Sequence, residues 1–451
     1  MPGLVEYIEA NASGFRLCRA RIPADMLSVP VGTPVAADGM TLVDLCVAGG
    51  RITTVEPAGS GPEQGYDLAG GMILPVFADM HTHLDKTHIA RRTANPECSL
   101  LGAVKATAAD HGNWSEEDLY HRADFALRCA HAHGTAFMRT HLDVLGPQGQ
   151  AVWQVMSSLR QEWKGRIDLQ FVAMAPIGFY LEEGAEAFVK EAARHGAFLG
   201  GVTVLRNVPA TEKDKALAEA LNALFEHARV HDLDIDLHVD ESLDRYANAL
   251  FSVAESTLRH GWHGRVTCGH CCSLSQMEDV RREAILSRCA DAGISIVSLP
   301  LVNAWLQDRQ AHRTPARRGV APLAEARARG IAVGLASDNC GDAFHPFGDY
   351  DLLEVLREAT RMAHLPGDTG EWLQNVTTVP ARLMGADTRL KVGDAADFLM
   401  YSARGMEELL ARPQHDRVVI RNGRPQAQPL PSFAELDRLF TCHTSERLGL
   451  Q

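Results

Sequence analysis

Eight short apolar segments of strand length recur between residues 71 and 337, and stretches of helical length separate most of them. The candidate strands are 71–80, 135–142, 167–174, 197–205, 233–239, 265–271, 294–300 and 331–337. Between two of them, KALAEALNALFEHARVH (215–231) repeats its apolar residues at three- and four-residue spacing, the period of a helix with one buried face. Strand followed by helix, repeated, builds a parallel sheet. Eight such units predict an α/β fold, a (β/α)8 TIM-like barrel; an open doubly wound sheet is the alternative.

Strand-like segments also bracket the chain. TLVDLCVAGGRITTVE (41–56) reads as two strands around Gly49–Gly50, and DAADFLMYSA (394–403) and DRVVIRNGRPQ (416–426) read as strands, the last with an Asn-Gly turn at 422–423. They predict a small β-sandwich domain assembled from both termini. The expected division is 1–70 for its N-terminal part, 71–389 for the barrel and 390–451 for its C-terminal part. GSGPEQG (59–65) reads as a loop, and no sequence repeat is evident.

A chain of 451 residues is long enough for a barrel and an accessory domain, and 46% hydrophobic with 22% charged residues is ordinary globular composition. The formal net charge of −13 argues against nucleic acid or an anionic membrane as main partner. The basic stretches ARRT (90–93) and TPARRG (314–319) read as solvated charges. No apolar run reaches the ~18 residues of a membrane span. The acidic N-terminus lacks a secretory signal's basic start and apolar stretch. Apart from CGHCC (268–272) the ten cysteines are scattered. A cytoplasmic protein with reduced thiols is expected.

In a barrel the reactive groups sit at the C-terminal ends of strands. The first candidate strand ends in HTH, the fifth in LHVDES, the sixth in CGHCC and the eighth in ASDN. His81 and His83 are two apart, so on a strand they share a face. With His238 and Asp338 they predict a site for one divalent metal, Zn²⁺ or Fe²⁺, with a position left for water. A lone His-x-His is a weak signal; its coincidence with strand-end histidines and an aspartate on three other strands carries the reading. His88 lies beyond the strand end, as a rim residue or an exposed one. CGHCC lacks a second Cys-x-x-Cys to complete a structural zinc site, so its thiols are expected to pack around His270, with Cys271 pointing outward.

The set HTHLDK (81–86), HVDE (238–241), GH (269–270) and SDN (337–339) resembles the amidohydrolase superfamily, and within it the cytosine deaminase branch. RTHLDV (139–144), LPLVNAWLQDR (299–309), TPARRGVAPL (314–323) and HPFGDYDLLEV (345–355) resemble it too, so the likeness runs from about residue 40 to 425. The resemblance implies that His81, His83, His238 and Asp338 hold one metal, that Glu241 shuttles protons, and that His270 orients or polarises the water. Two-metal members carry a carboxylated lysine on the fourth strand; GAFLGGVTVL (196–205) has none, which favours one metal. The implied reaction is hydrolytic deamination of an amino-substituted N-heterocycle, such as a cytosine-like pyrimidine, a pterin or a triazine.

Two positions depart from the branch. Pro176 stands where cytosine deaminases place a pyrimidine-reading glutamine, and Asn339 stands where they place an aspartate. Candidate residues for reading the substrate are therefore Lys86, Arg139, His141, Pro176, Asn303, Trp305, Asn339 and Phe344, with Lys86 and Arg139 suited to an anionic substituent. The alternatives are a ring-opening cyclic-amide hydrolase and a non-catalytic barrel, although the latter would be expected to lack Glu241 or Asp338. A homo-oligomer acting on a small heterocycle is expected.

Overall fold

The computed structural model describes all residues except 1–2, 30, 62–63, 207, 367–369, 427 and 441–451, so parts of the 59–65 loop and of the 390–451 segment lie outside the described residues. One sheet has eight strands hydrogen-bonded in chain order: Phe77–Thr82, Thr135–Leu142, Asp168–Ala173, Phe198–Val202, Ile235–Val239, Val266–His270, Ser295–Ser298 and Val333–Leu335. From the third strand to the eighth every neighbouring pair is parallel. The chain just past the eighth strand returns to the first through a parallel bridge between Thr82 and Asp338, where the Asp338 N–H donates to the His81 carbonyl at 2.9 Å. The sheet is thus a nearly closed barrel, as the alternation of segments predicts.

Helices form between the strands for the reason their period suggests. Lys213–His231 buries Leu217, Leu221, Leu224, Phe225 and Ala228 along one stripe and stops where Asp232 turns left-handed, at φ 53°. The expected strand at 71–80 is in fact two. Met72–Pro75 joins the other sheet and Phe77–Thr82 opens the barrel. Pro75 lies at the break, where its missing N–H cannot continue a ladder. The expected strand at 331–337 is regular only over Val333–Leu335, because the chain then bends toward a φ of 61° at Asp338.

The second sheet also has eight strands. Five come from the N-terminal side, Gly14–Pro23, Met40–Ala48, Arg51–Pro57, Tyr66–Asp67 and Met72–Pro75. Three come from the C-terminal side, Phe398–Tyr401, Val418–Arg421 and Arg424–Pro425. Phe398–Tyr401 pairs antiparallel with Met72–Pro75, joining the two ends of the chain. The sheet curls over a core that includes Leu17, Ile22, Val43, Leu45, Ile73, Phe398, Met400 and Ile420. Gly14–Pro23 is not among the strands expected from the sequence. A register shift between Leu17 and Ala20 breaks its alternation, and Arg16 is buried there against Asp44 at 2.8 Å, which hides the strand's period of two.

By packing, the chain divides into two compact units. One contains Met1–Ala78, Ala130–Phe137 and Leu352–Leu430; the other contains Asp79–Cys129, Met138–Asp351 and the described residues from Pro431 onward. All residues of the site below belong to the second unit. Among the described residues no helix is long and apolar enough to cross a membrane.

Candidate metal centre

The C-terminal ends of five barrel strands deliver one buried cluster. His81 and His83 come from the first strand, His141 from the second, His238 from the fifth, His270 from the sixth and Asp338 from just past the eighth. His83 Nε2 lies 3.2 Å from Asp338 Oδ1 and 3.4 Å from His238 Nε2, and His81 Nε2 lies 3.7 Å from the same aspartate oxygen. The His81 ring packs between those of His141 and His238, with centroids at 3.9 and 4.6 Å. Below it runs Gly269, where a Cβ would sit 2.9 Å from His81 Cε1, so this strand position must be glycine for His81 to occupy its place.

The donor set fits a divalent cation. Both ring nitrogens of His81, Nδ1 of His83 and of His238, Nε2 of His270 and both oxygens of Asp338 are buried with no hydrogen-bond partner. Each such orphan costs about 1–3 kcal/mol unless something meets it, and a set of them converging on one point calls for an ion. Two triads sharing His81 (with His83 and His141, and with His238 and His270) each bring ligand atoms within 4.8 Å of one another. Imidazole and carboxylate donors suit zinc or iron. Burial, reinforced by the other histidines, holds His81 and His238 well below the ordinary imidazole range, and burial with nearby Lys86 does the same to His83. These rings are therefore neutral and keep the lone pairs that a cation requires.

The backbone is bent to serve this cluster. Asp240, His270 and Asp338 have φ of 49°, 69° and 61°, a left-handed conformation that strains a residue with a Cβ. Asp240 turns the chain just before Glu241, and the Asp240 carboxylate anchors that turn by accepting the N–H groups of Ala249 and Leu250 at 3.3 and 3.0 Å. Glu241 Oε1 then lies 3.5 Å from His270 Nδ1. Burial and the Asp338 charge push Glu241 well above the usual carboxylate range. The Asn303 side-chain amide, 3.0 Å from His270 Nδ1, pins that ring with Nε2 toward the cluster.

The remaining expected site residues are dispersed. His141 lies within the cluster rather than on its rim. Arg139 is corrected: its guanidinium is 1% exposed, 2.8 Å from Asp236, stacked 4.0 Å from the Phe198 ring, and not available at the rim. The reason is strand parity, since Arg139 precedes His141 by two and so points inward one layer deeper. Lys86 pairs with Asp143 at 2.7 Å, and its Nζ lies 5.8 Å from the Phe344 ring. Asn339 donates to Asp342 at 2.6 Å. Trp305 meets Phe347 edge-on at 5.1 Å, and Pro176 is exposed past the third strand, bridged to Val202. His88 is neither exposed nor at the cluster, but is buried against Phe125 and Tyr350. Cys271 is buried, not outward, because the strand ends at His270 and the alternation ends with it.

Asp236 is not among the site residues expected from the sequence, although it precedes His238 by two and parity places it in the layer of Arg139. Its Oδ1 lies 3.2 Å from His141 Nε2, and His141 packs on His81. Asp236→Asn is expected to weaken Zn²⁺ binding in a chelator competition, since the carboxylate facing His141 helps fix the ring that packs on His81. Wild-type affinity would show that the Asp236–His141 contact plays no part in holding the cluster.

The fold and the donor set define a (β/α)8 barrel with a divalent-cation site on its catalytic face. The sequence profile of the amidohydrolase family matches residues 126–426, and the chain belongs to that family. Pterin deaminase of Rhizobium rhizogenes is 43% identical over 436 residues, covering 95% of this chain and 98% of that protein. N-isopropylammelide isopropyl amidohydrolase of Pseudomonas sp. is 26% identical, covering 85% of this chain and 93% of that protein. Among solved structures, 5-methylcytosine deaminase from Klebsiella pneumoniae liganded with 5-fluorocytosine matches with a TM-score of 0.78 and 25% identity, covering 92% of this chain and 98% of that one. These likenesses place the chain in the cytosine deaminase-like branch.

Proposed function

We propose that the protein is a metal-dependent hydrolase that deaminates an amino-substituted N-heterocycle, with a pterin as the foremost ring. The carrying observation is the Glu241 carboxyl, 3.5 Å from His270 and not itself one of the orphaned donor atoms. The choice of a pterin is supported by the 43% identity with a pterin deaminase over nearly the whole chain.

In this reading His81, His83, His238 and Asp338 hold one ion, Zn²⁺ or Fe²⁺. The ion supplies Lewis acidity and lowers the pKa of water. His270, fixed by Asn303, orients the water by hydrogen bonding. Glu241, its proton affinity raised by burial, protonates the ring nitrogen beside the amino-bearing carbon and makes that carbon electrophilic. Water adds there and gives one proton to the Glu241 carboxylate, which passes it to the departing amino group; ammonia leaves as the carbonyl forms, and the hydroxyl proton restores the Glu241 carboxyl. Of the substrate-reading candidates, Lys86, Phe344, Trp305 and Asn339 remain those proposed to contact the ring, while Asn303 acts through His270. The fourth strand, Phe198–Val202, carries no lysine for a second metal, which supports deamination over ring opening. The same reading carries a barrel domain over 71–389, a cytoplasmic location and a homo-oligomeric state.

Ammonia release is the direct test. The protein, purified with Zn²⁺ or Fe²⁺ supplied, is assayed against pterin, cytosine and aminotriazines. Release is expected from pterin first. Silence across the panel, with one metal bound per chain, would overturn the deaminase reading.

A further inference from the structure

Asp143 directly follows the second barrel strand, Thr135–Leu142, two residues past His141 of the cluster. Its Oδ2 accepts from Lys86 Nζ at 2.7 Å. The two partners are not equally enclosed, since the Lys86 side chain is 6% exposed and that of Asp143 26%. The carboxylate is thus the more exposed partner of the pair. Its other oxygen, Oδ1, accepts no hydrogen bond from the described residues.

The backbone behind this carboxylate is pinned from two sides. The Asp143 N–H donates to Asp85 Oδ2 at 2.6 Å, and Gln148 Nε2 donates to the Asp143 carbonyl at 3.0 Å. A side chain held in this way loses little freedom on binding a ligand. An ion pair this enclosed is also costly to bury, and an oxygen left open on it gains from a donor.

The topology places Asp143 opposite the reacting side. With eight strands in ring order, the first and second lie across the barrel from the fifth and sixth, which carry Glu241 and His270. A planar ring with its amino-bearing edge at Glu241 presents its far edge to Asp143 and Lys86. Past the third strand Pro176 offers no side-chain acceptor to that edge, and its carbonyl already accepts the Phe179 N–H at 2.9 Å.

We propose that Asp143, positioned by Lys86, is the acceptor that reads ring N–H or amino hydrogens on the far edge of the substrate, so that the enzyme selects N-heterocycles presenting hydrogen-bond donors there. This rests on the deaminase reading for the orientation of the ring. It assigns to a carboxylate just past the second strand the recognition that the Pro176 side chain cannot supply. An acceptor of this kind discriminates strongly, because a ring without the donor leaves the carboxylate unpaired.

The test is equilibrium binding in a background that holds the ligand without turnover. The Kd of pterin, read from its own fluorescence, is measured for metal-loaded E241Q and for E241Q with D143N. D143N is expected to raise the Kd at least tenfold with unchanged metal per chain. In the otherwise wild-type enzyme it is expected to raise KM with little change in kcat, a split that a merely structural role would not produce. If D143N leaves Lys86 unmatched and fails to fold, K86M/D143N removes both charges, and the same shift is expected. An unchanged Kd, or a shift seen only with loss of metal, overturns the assignment. If ammonia is released by the wild type while the Kd is insensitive to D143N, this inference fails and the deaminase reading stands. A Kd shift without ammonia release keeps Asp143 as the acceptor and overturns the deaminase reading. No binding of pterin to metal-loaded E241Q overturns this inference, and ammonia release by the wild type then decides the deaminase reading separately.

Discussion

Glu241→Gln is expected to keep its metal and lose turnover by about 10²-fold or more. Glutamine fills the same space and preserves the polar contact near His270, but it cannot carry a proton. The nitrogen and oxygen atoms that converge in the cluster come from His81, His83, His238 and Asp338, and Glu241 is not among them. Metal analysis and steady-state ammonia release on the same preparation check both halves. A collapse in metal content would make Glu241 a ligand and remove it from proton transfer.

Stripping the metal is expected to lower thermal stability at pH 7.5 and to expose a pH dependence below it. A cation that binds only the folded chain stabilises it by mass action. In the stripped protein, burial depresses His88 and His270 to about 4 and holds His81, His83 and His238 well below the ordinary value. The unfolded chain takes up protons on these rings from about pH 6.5 downward, whereas in the folded chain His88 and His270 resist until about 4 and the other three also stay neutral well below the ordinary value. The unfolded state therefore binds more protons in that window, and stability falls as pH falls. His88 alone is worth on the order of 3 kcal/mol when the loss is complete. The advantage of the loaded protein should itself shrink with acid, because protons compete for the same lone pairs. Melting curves of loaded and stripped protein at pH 7.5, 6.5 and 5.5 test this. Coincident curves at pH 7.5 would mean that the cluster holds no structural ion.

Much of the site is legible because strand periodicity and strand termini are local signals. The pattern at His81 and His83 fixes a shared face, and the ends of the fifth, sixth and eighth strands bring His238, His270 and Asp338 to the same rim. What lies one layer deeper is harder to see. Arg139 and Asp236 sit two residues before histidines of the cluster, and the parity that pairs His81 with His83 also puts these two in a buried ion pair. The left-handed turns at Asp240 and His270 depend on tertiary contacts and have no sequence signature in non-glycine residues. In the terminal sheet, Gly14–Pro23 is hidden by its register shift, and the strand expected at 71–80 is divided by a proline that the apolar run masks. Asp143 stands in plain view within RTHLDV, but only its pairing with Lys86 distinguishes it from a solvated charge.

The joining of Met72–Pro75 to Phe398–Tyr401 means that this sheet cannot be completed until residues 398–401 have been synthesised. The two strands lie more than three hundred residues apart in the chain, so the N-terminal strands emerge from the ribosome long before their partners exist. Until then Met72–Pro75, buried in the finished sheet, is an apolar strand with one edge unmatched, open to pairing with another nascent copy. Chains terminated before residue 398 would retain that edge for good, even where every residue of the catalytic face has been made.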